Sequence, residues 1–298
     1  MIKEIIFALI TLLSFGFLGY NLNRFRKILK FCKEDNRTDK FAKRLRNVFK
    51  VALFQSKILR EPIAGVVHVL IFWGFLALLF SASESVFQGF YQHFSWSFLG
   101  PFYAVISFSN DVFCIFVLLA VLISLSRRYI FRIKRLQGNR EEMIDAFMVL
   151  FSIFIIVLAL LLQNAAKIAS GITEEYSYQP FAKILSGFFI KDHSQFFYEI
   201  FWWLHILWIY FFMNFLFYSK HFHVFTSIQN VFFRDPIFFF KPSRINFEAE
   251  NVEKFGVLDF EDLSWKSVHD GFSCTHCGRC DSVCPANITG KVLSPRQI

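Results

Sequence analysis

Charge is scarce in this sequence. Only 18% of its 298 residues are Asp, Glu, Lys or Arg, while 55% are apolar, 20% are aromatic and Phe alone fills 44 positions. That balance excludes an ordinary soluble globule. Cysteine is sparse too, at six residues, and four of the six crowd into positions 274–284. A disulfide framework would spread them, so the clustering points to a metal or cluster site in a reducing compartment. Internal repeats and low-complexity tracts are absent. The net charge of +9 does not argue for nucleic acid, because basic residues on an apolar chain mark cytoplasmic loops.

What is present is a series of long apolar runs. Five of them, at about 5–22, 63–86, 103–126, 146–164 and 197–218, are long enough to cross a bilayer core of ~30 Å at 1.5 Å per residue. Lys and Arg alternate between the intervening loops. There are 13 in 24–61, none in 87–102, six in 127–144, three in 164–196 and nine from 219 onward. This bias predicts an outside N-terminus, an uncleaved first helix and a cytoplasmic C-terminus. The 13 basic residues of the first loop read as a topology determinant touching anionic lipid. The aromatic run Phe232–Phe240 is interrupted by Arg234, Asp235 and Pro236 and reads as interfacial.

The run Cys274-Thr-His-Cys277-Gly-Arg-Cys280-Asp-Ser-Val-Cys284-Pro285 is the most specific motif. Its spacing, C-x2-C-x2-C-x3-C-P, wraps three thiolates around a [4Fe-4S] cube and sends the fourth into a following helix that Pro285 can open. A zinc site more often separates its cysteine pairs by a dozen residues or more. In two-cluster ferredoxins the fourth cysteine of such a run serves the other cluster. Either Cys284 closes its own cluster here, or a further cysteine motif belongs to the complete protein.

Histidine in a hydrocarbon-length helix is costly enough to suggest function. His68 lies inside the second run, His205 inside the fifth, and His221 and His223 just past it. If the fifth helix continues, His205 and His223 are five whole turns and about 27 Å apart on one face, a spacing that suits two haems stacked across a bilayer. His68 and His223, or the neighbouring His221, would then clasp one haem b near the cytoplasmic side. A second haem at His205 wants a partner about ten residues beyond His68, where Leu78 stands. The third and fourth runs have no histidine. Asp111 is expected at the depth of His205, where the two would form a proton relay near a quinone or a purely structural pair.

At these residues the chain resembles two known families. Arg60-Glu-Pro-Ile-Ala-Gly-Val-Val-His68 running into Trp73-Gly74-Phe75, with Ser219-Lys220-His221-Phe222-His223 closing the fifth helix, is similar to the cytochrome b domain of the nitrate reductase gamma subunit superfamily. The run from Cys274 to Pro285, followed by Ala286-Asn287-Ile288-Thr289-Gly290-Lys291, resembles the start of the iron-sulfur domain in the D chain of heterodisulfide reductase. Their fusion is similar to membrane-bound heterodisulfide-reductase-like iron-sulfur proteins, including those linking electron transfer flavoprotein to menaquinone. The resemblance implies that His68, His205 and His223 are haem ligands. It also implies a second cysteine motif further on, so that this chain is a truncated or split product.

The sequence therefore predicts an all-α membrane protein. Residues 1–225 form a five-helix transmembrane domain, 226–265 a cytoplasmic linker and 266–298 a small, incomplete ferredoxin-like [4Fe-4S] segment. Its expected function is electron transfer in the inner membrane, as a subunit or fragment of a quinone-linked oxidoreductase. The expected cofactors are a [4Fe-4S] cluster and one or two haems b, with menaquinone or another quinone as substrate. Its partners would be the lipid bilayer and a cytoplasmic redox protein, either electron transfer flavoprotein or a subunit carrying the missing cysteine-rich domain. The competing reading is a polytopic protein whose cysteines hold zinc as a docking module without redox chemistry.

Overall fold

A computed structural model describes residues 2–171, 178–235, 247–248 and 255–297. Five helices are long and apolar enough to cross a membrane. They are α1 (Ile2–Phe31), α2 (Pro62–Phe90), α3 (Pro101–Leu125), α4 (Arg140–Ala169) and α5 (Lys191–Phe215). No strand occurs among the described residues; the one β-type contact is an isolated bridge between Lys33 and Ser264. The helices overrun the apolar segments at both ends. α1 carries Arg24, Arg26, Lys27 and Lys30 on its last turns, because helical hydrogen bonding does not stop where hydropathy does.

Local chemistry sets several of the helix starts. Pro62 and Pro101 open α2 and α3, where the missing N–H has no partner to lose. Asn139 caps α4 by accepting the Glu142 N–H at 2.8 Å. Of the interfacial run expected at 232–240, Phe232 and Phe233 end the helix His223–Phe233. Residues 236–240 lie outside the described set.

The chain divides into two compact units. One comprises Met1–Gly16, Ile58–Phe215 and Gly278–Ile298; the other comprises Phe17–Lys57 and Leu216–Cys277. In the first unit, Cys114, Val117, Val121, Val157, Leu160, Leu161, Ala165 and Ala182 form a buried cluster. Gly74 makes the α2–α3 approach possible, since a Cβ there would collide with the Val117 side chain. A second cluster seats the fully buried Phe7 ring against Trp202, Ile206 and Tyr210.

The second unit is held by polar ties at its periphery. Arg44 is 2% exposed, and its guanidinium donates to the carbonyls of Phe232 (3.2 Å) and Arg234 (2.7 Å), satisfying the end of the helix 223–233. The Trp265 indole donates to the Asp35 carbonyl at 2.7 Å. Phe25 packs edge-on against Phe222 and Phe272.

Candidate functional site

The cysteine run is built from short elements. The helix Trp265–Phe272 ends just before Cys274, whose N–H donates to the Gly271 carbonyl at 3.1 Å. His276 and Gly278 both take positive φ, at 51° and 71°. Gly278 then precedes the helix Arg279–Val283, and Cys284 passes into a turn of helix opened by Pro285. Cys274, Cys277 and Cys280 are exposed, Cys284 is half-buried, and none is in a disulfide. Four accessible thiols on a turning backbone are a donor set suited to iron-sulfur chemistry. Among the described residues no three His, Cys, Asp or Glu side chains gather within reach of one ion. The fit therefore rests on donor type and spacing.

Within the first unit, the segment from Gly278 is tied down by charge and by the lack of a side chain. A Cβ on Gly278 would lie 2.6 Å from the Arg135 carbonyl oxygen. Glu61 pairs with Arg279 at 2.9 Å and with Arg135. Asp281 accepts from Ser294 (3.0 Å) and from the Arg296 N–H (3.1 Å), while the Arg296 side chain reaches the Gln137 carbonyl at 3.2 Å.

His205 is the membrane histidine whose surroundings are most telling. It is 1% exposed. Its Nδ1 lies 2.8 Å from the Ile156 carbonyl of α4, and its Nε2 is buried with no hydrogen-bond partner. A ring fixed through one nitrogen and open at the other is the arrangement of a metal-ligating imidazole. His205 thus has the donor chemistry of a ligand. Leu78, at the place of a hypothetical opposite ligand, packs instead against the buried Cys114–Val157 cluster.

The other histidines are placed differently from the expectation of one continuous fifth helix. α5 ends at Phe215, the chain turns through Ser219 in an extended conformation, and His223 begins a new helix. The five-turn register between His205 and His223 therefore does not carry through. His221 and His223 are half-buried with rings 5.8 Å apart, and Ser219 Oγ lies 3.2 Å from His221 Nδ1. His68 is half-buried on the second turn of α2.

Asp111 is 1% exposed but fully engaged. Its two carboxylate oxygens accept the N–H groups of Phe181 (2.6 Å) and Ala182 (3.0 Å), capping the short helix Pro180–Ser186. It is not hydrogen-bonded to His205, so the expected relay pair is replaced by a structural cap.

A polar chamber between α2, α3 and α4 went unread in the sequence. Glu84, Gln88, Tyr103, Asn110, Gln163 and Lys167 line it with several serines, around a cavity of about 30 Å³. Two signals were available: Glu84 interrupts an otherwise uncharged run, and Ser81, Glu84, Ser85 and Gln88 recur at helical spacing on one face. Outside the membrane helices, burial and the nearby Lys266 ammonium push the His269 imidazole below its ordinary range. Burial, reinforced by Glu261, pushes the Cys32 thiol up.

With this geometry in view, comparison with known proteins is informative. Two sequence relatives are oxidoreductases. The chain is 31% identical over 277 residues to the EtfAB:quinone oxidoreductase of Syntrophomonas wolfei, a match covering 88% of this chain and 38% of that protein. It is 29% identical over 309 residues to the probable iron-sulfur-binding oxidoreductase FadF of Bacillus subtilis, covering 99% of this chain and 42% of that one. The chain thus spans about two fifths of the length of these curated relatives. No family model and no solved structure matches it.

Proposed function

We propose that this chain is the membrane-bound electron-transfer part of a quinone-linked iron-sulfur oxidoreductase. The observation that carries the reading is the C-x2-C-x2-C-x3-C-P run in a chain with five membrane-length helices. Support comes from the likeness to proteins whose names join iron-sulfur and quinone oxidoreductase chemistry. Cys274, Cys277, Cys280 and Cys284 hold a [4Fe-4S] cluster, Gly278 lets the loop turn, and the Glu61–Arg279 pair orients the segment that follows. His205, anchored through Nδ1 to the Ile156 carbonyl, offers Nε2 to a haem b iron. His68, His221 and His223 remain the other proposed ligands. When bound, such centres supply one-electron steps that join a two-electron quinone reaction to a protein redox partner.

The partner proposed is electron transfer flavoprotein, or a subunit carrying the cysteine-rich region that the longer relatives have room for. The reading puts the basic residues around α1's end and in the 127–135 segment at the cytoplasmic face, with the N-terminus outside. Neither the cysteine spacing nor the names of the relatives favours the zinc module.

The test is spectroscopic. The purified, dithionite-reduced protein is expected to show haem b α bands in its absorption spectrum and a cluster signal by electron paramagnetic resonance. Cys277→Ser should remove the cluster signal and leave the haem bands. A colourless protein that contains zinc would falsify the reading.

A further inference from the structure

The chamber between α2, α3 and α4 lies in the first unit, at the far end of α2 from the segment that follows Gly278. Glu61, which pairs with Arg279, immediately precedes α2, and Glu84 stands 23 positions later in the chain. At 1.5 Å per residue that is about 35 Å, a full membrane thickness. Glu84 thus stands toward the opposite membrane face, where three helices contribute polar groups to one cavity.

Two unsatisfied atoms belong to residues that line the cavity. Asn110 and Gln163 are each 4% exposed, and Asn110 Oδ1 and Gln163 Oε1 are buried without a hydrogen-bond partner. Both are acceptors, so a partner for them must be a donor. A cavity of about 30 Å³ exceeds the roughly 10–15 Å³ needed to hold a water molecule. A quinone ring is far too large, and in its oxidised form it brings only acceptors. A bare cation would meet the Lys167 ammonium, whose charge the Glu84 carboxylate only just balances. Water alone matches the size, the donor requirement and the neutrality.

Glu84 is positioned to exchange protons with that water. The Tyr103 hydroxyl lies 3.1 and 3.3 Å from its two oxygens, and Gln88 lies 3.5 Å away on the next turn. The titratable groups facing it are Tyr103 from α3, Lys167 from α4, and Tyr198, itself beside Glu199, from α5. Tyr198 reaches Gln88 at 3.4 Å, and Glu199 is paired with Lys3.

We propose that this chamber is a hydrated proton route in which Glu84 carries protons between the quinone reaction and the membrane face opposite the segment that follows Gly278. The inference rests on the quinone-linked reading above and assigns the proton side of it. Reducing a quinone forms two O–H bonds, taking two electrons from the reduced redox partner and two protons through Glu84. Oxidising a hydroquinone runs the same path in reverse.

The experiment uses the full chain in vesicles with a pH dye on the chamber side. Protein prereduced with dithionite and then desalted is mixed with menadione, and centre oxidation and proton uptake are followed together. In Glu84→Gln, quinone-coupled oxidation should slow about 100-fold, the loss typical of a removed acid–base group, with an unchanged absorption spectrum. Glu84→Asp should recover part of the rate. Gln163→Leu, which removes one water anchor without touching the carboxylate, should also slow proton uptake. An infrared carboxyl band that shifts in D2O on turnover should be absent from Glu84→Gln. Wild-type rates and proton uptake in both Glu84→Gln and Gln163→Leu overturn the proton route while leaving the electron-transfer reading intact. A wild-type protein with no reducible chromophore overturns the electron-transfer reading itself.

Discussion

Asp111 on α3 and His205 on α5 are both about 1% exposed, yet their surroundings treat them in opposite ways. Both carboxylate oxygens of Asp111 are engaged by backbone N–H groups from about 70 residues downstream. His205 is tied at one nitrogen and open at the other. Burial alone therefore does not mark a site. A saturated buried group stabilises the fold, whereas an unpartnered one is a candidate for a partner bound later.

This contrast can be broken by substitution. The largest effect on cofactor content is expected at His205: on the haem reading proposed above, His205→Ala should remove an entire haem component, read as the haem-to-protein ratio, besides the stability lost with a buried imidazole. Asp111→Ala should act on stability alone. It leaves two helix N–H groups unpaired in the membrane domain and should lower unfolding stability by roughly 3 kcal/mol, measured by thermal unfolding in detergent, with the chromophores unchanged in the folded fraction. Asp111→Asn, which retains one carbonyl-type acceptor, should cost about 1 kcal/mol. If instead Asp111→Asn abolished quinone chemistry without loss of stability, the structural role assigned to this carboxylate would be wrong.

Smaller effects sharpen the comparison outside the helices. Gly278→Ala forces a side chain onto a φ of 71° and against the Arg135 carbonyl. It should loosen the 278–298 segment by about 1–2 kcal/mol, seen as faster hydrogen exchange there. His269, 4% exposed, resembles His205 in being buried with an unpartnered ring nitrogen, but Lys266 beside it opposes a positive charge. Its folded-state affinity for protons is depressed, so the unfolded chain protonates first as pH falls through 6.5. The stability His269 contributes is complete above that pH and declines below it, toward the depressed folded value. Hydrogen exchange over 265–272 should accelerate in that window, and His269→Gln should flatten the dependence.

Much of the architecture was legible from residue order. The apolar runs located the five long helices, though not their ends. The basic turns Arg24–Lys30 and the polar first turn Lys191–Ser194 are helical here, and hydropathy does not register them. The continuous register from His205 to His223 failed because the chain leaves the helix around Ser219. The sequence shows no proline or glycine there to announce the break. The chamber was missed because its residues are dispersed over three helices, each of which alone reads as apolar with stray polar positions.

Sequence by itself determined the number of membrane-length helices, the alternation of basic loops and the cysteine spacing, because each depends on neighbours within one segment. Only the tertiary structure decided that Asp111 caps a distant helix, that His205 keeps an open nitrogen, and that Glu84, Asn110 and Gln163 share one cavity. Whether a buried polar atom is satisfied depends on which other segments stand within about 3 Å of it. That distance is set by packing between helices, and residue order along any one of them does not contain it.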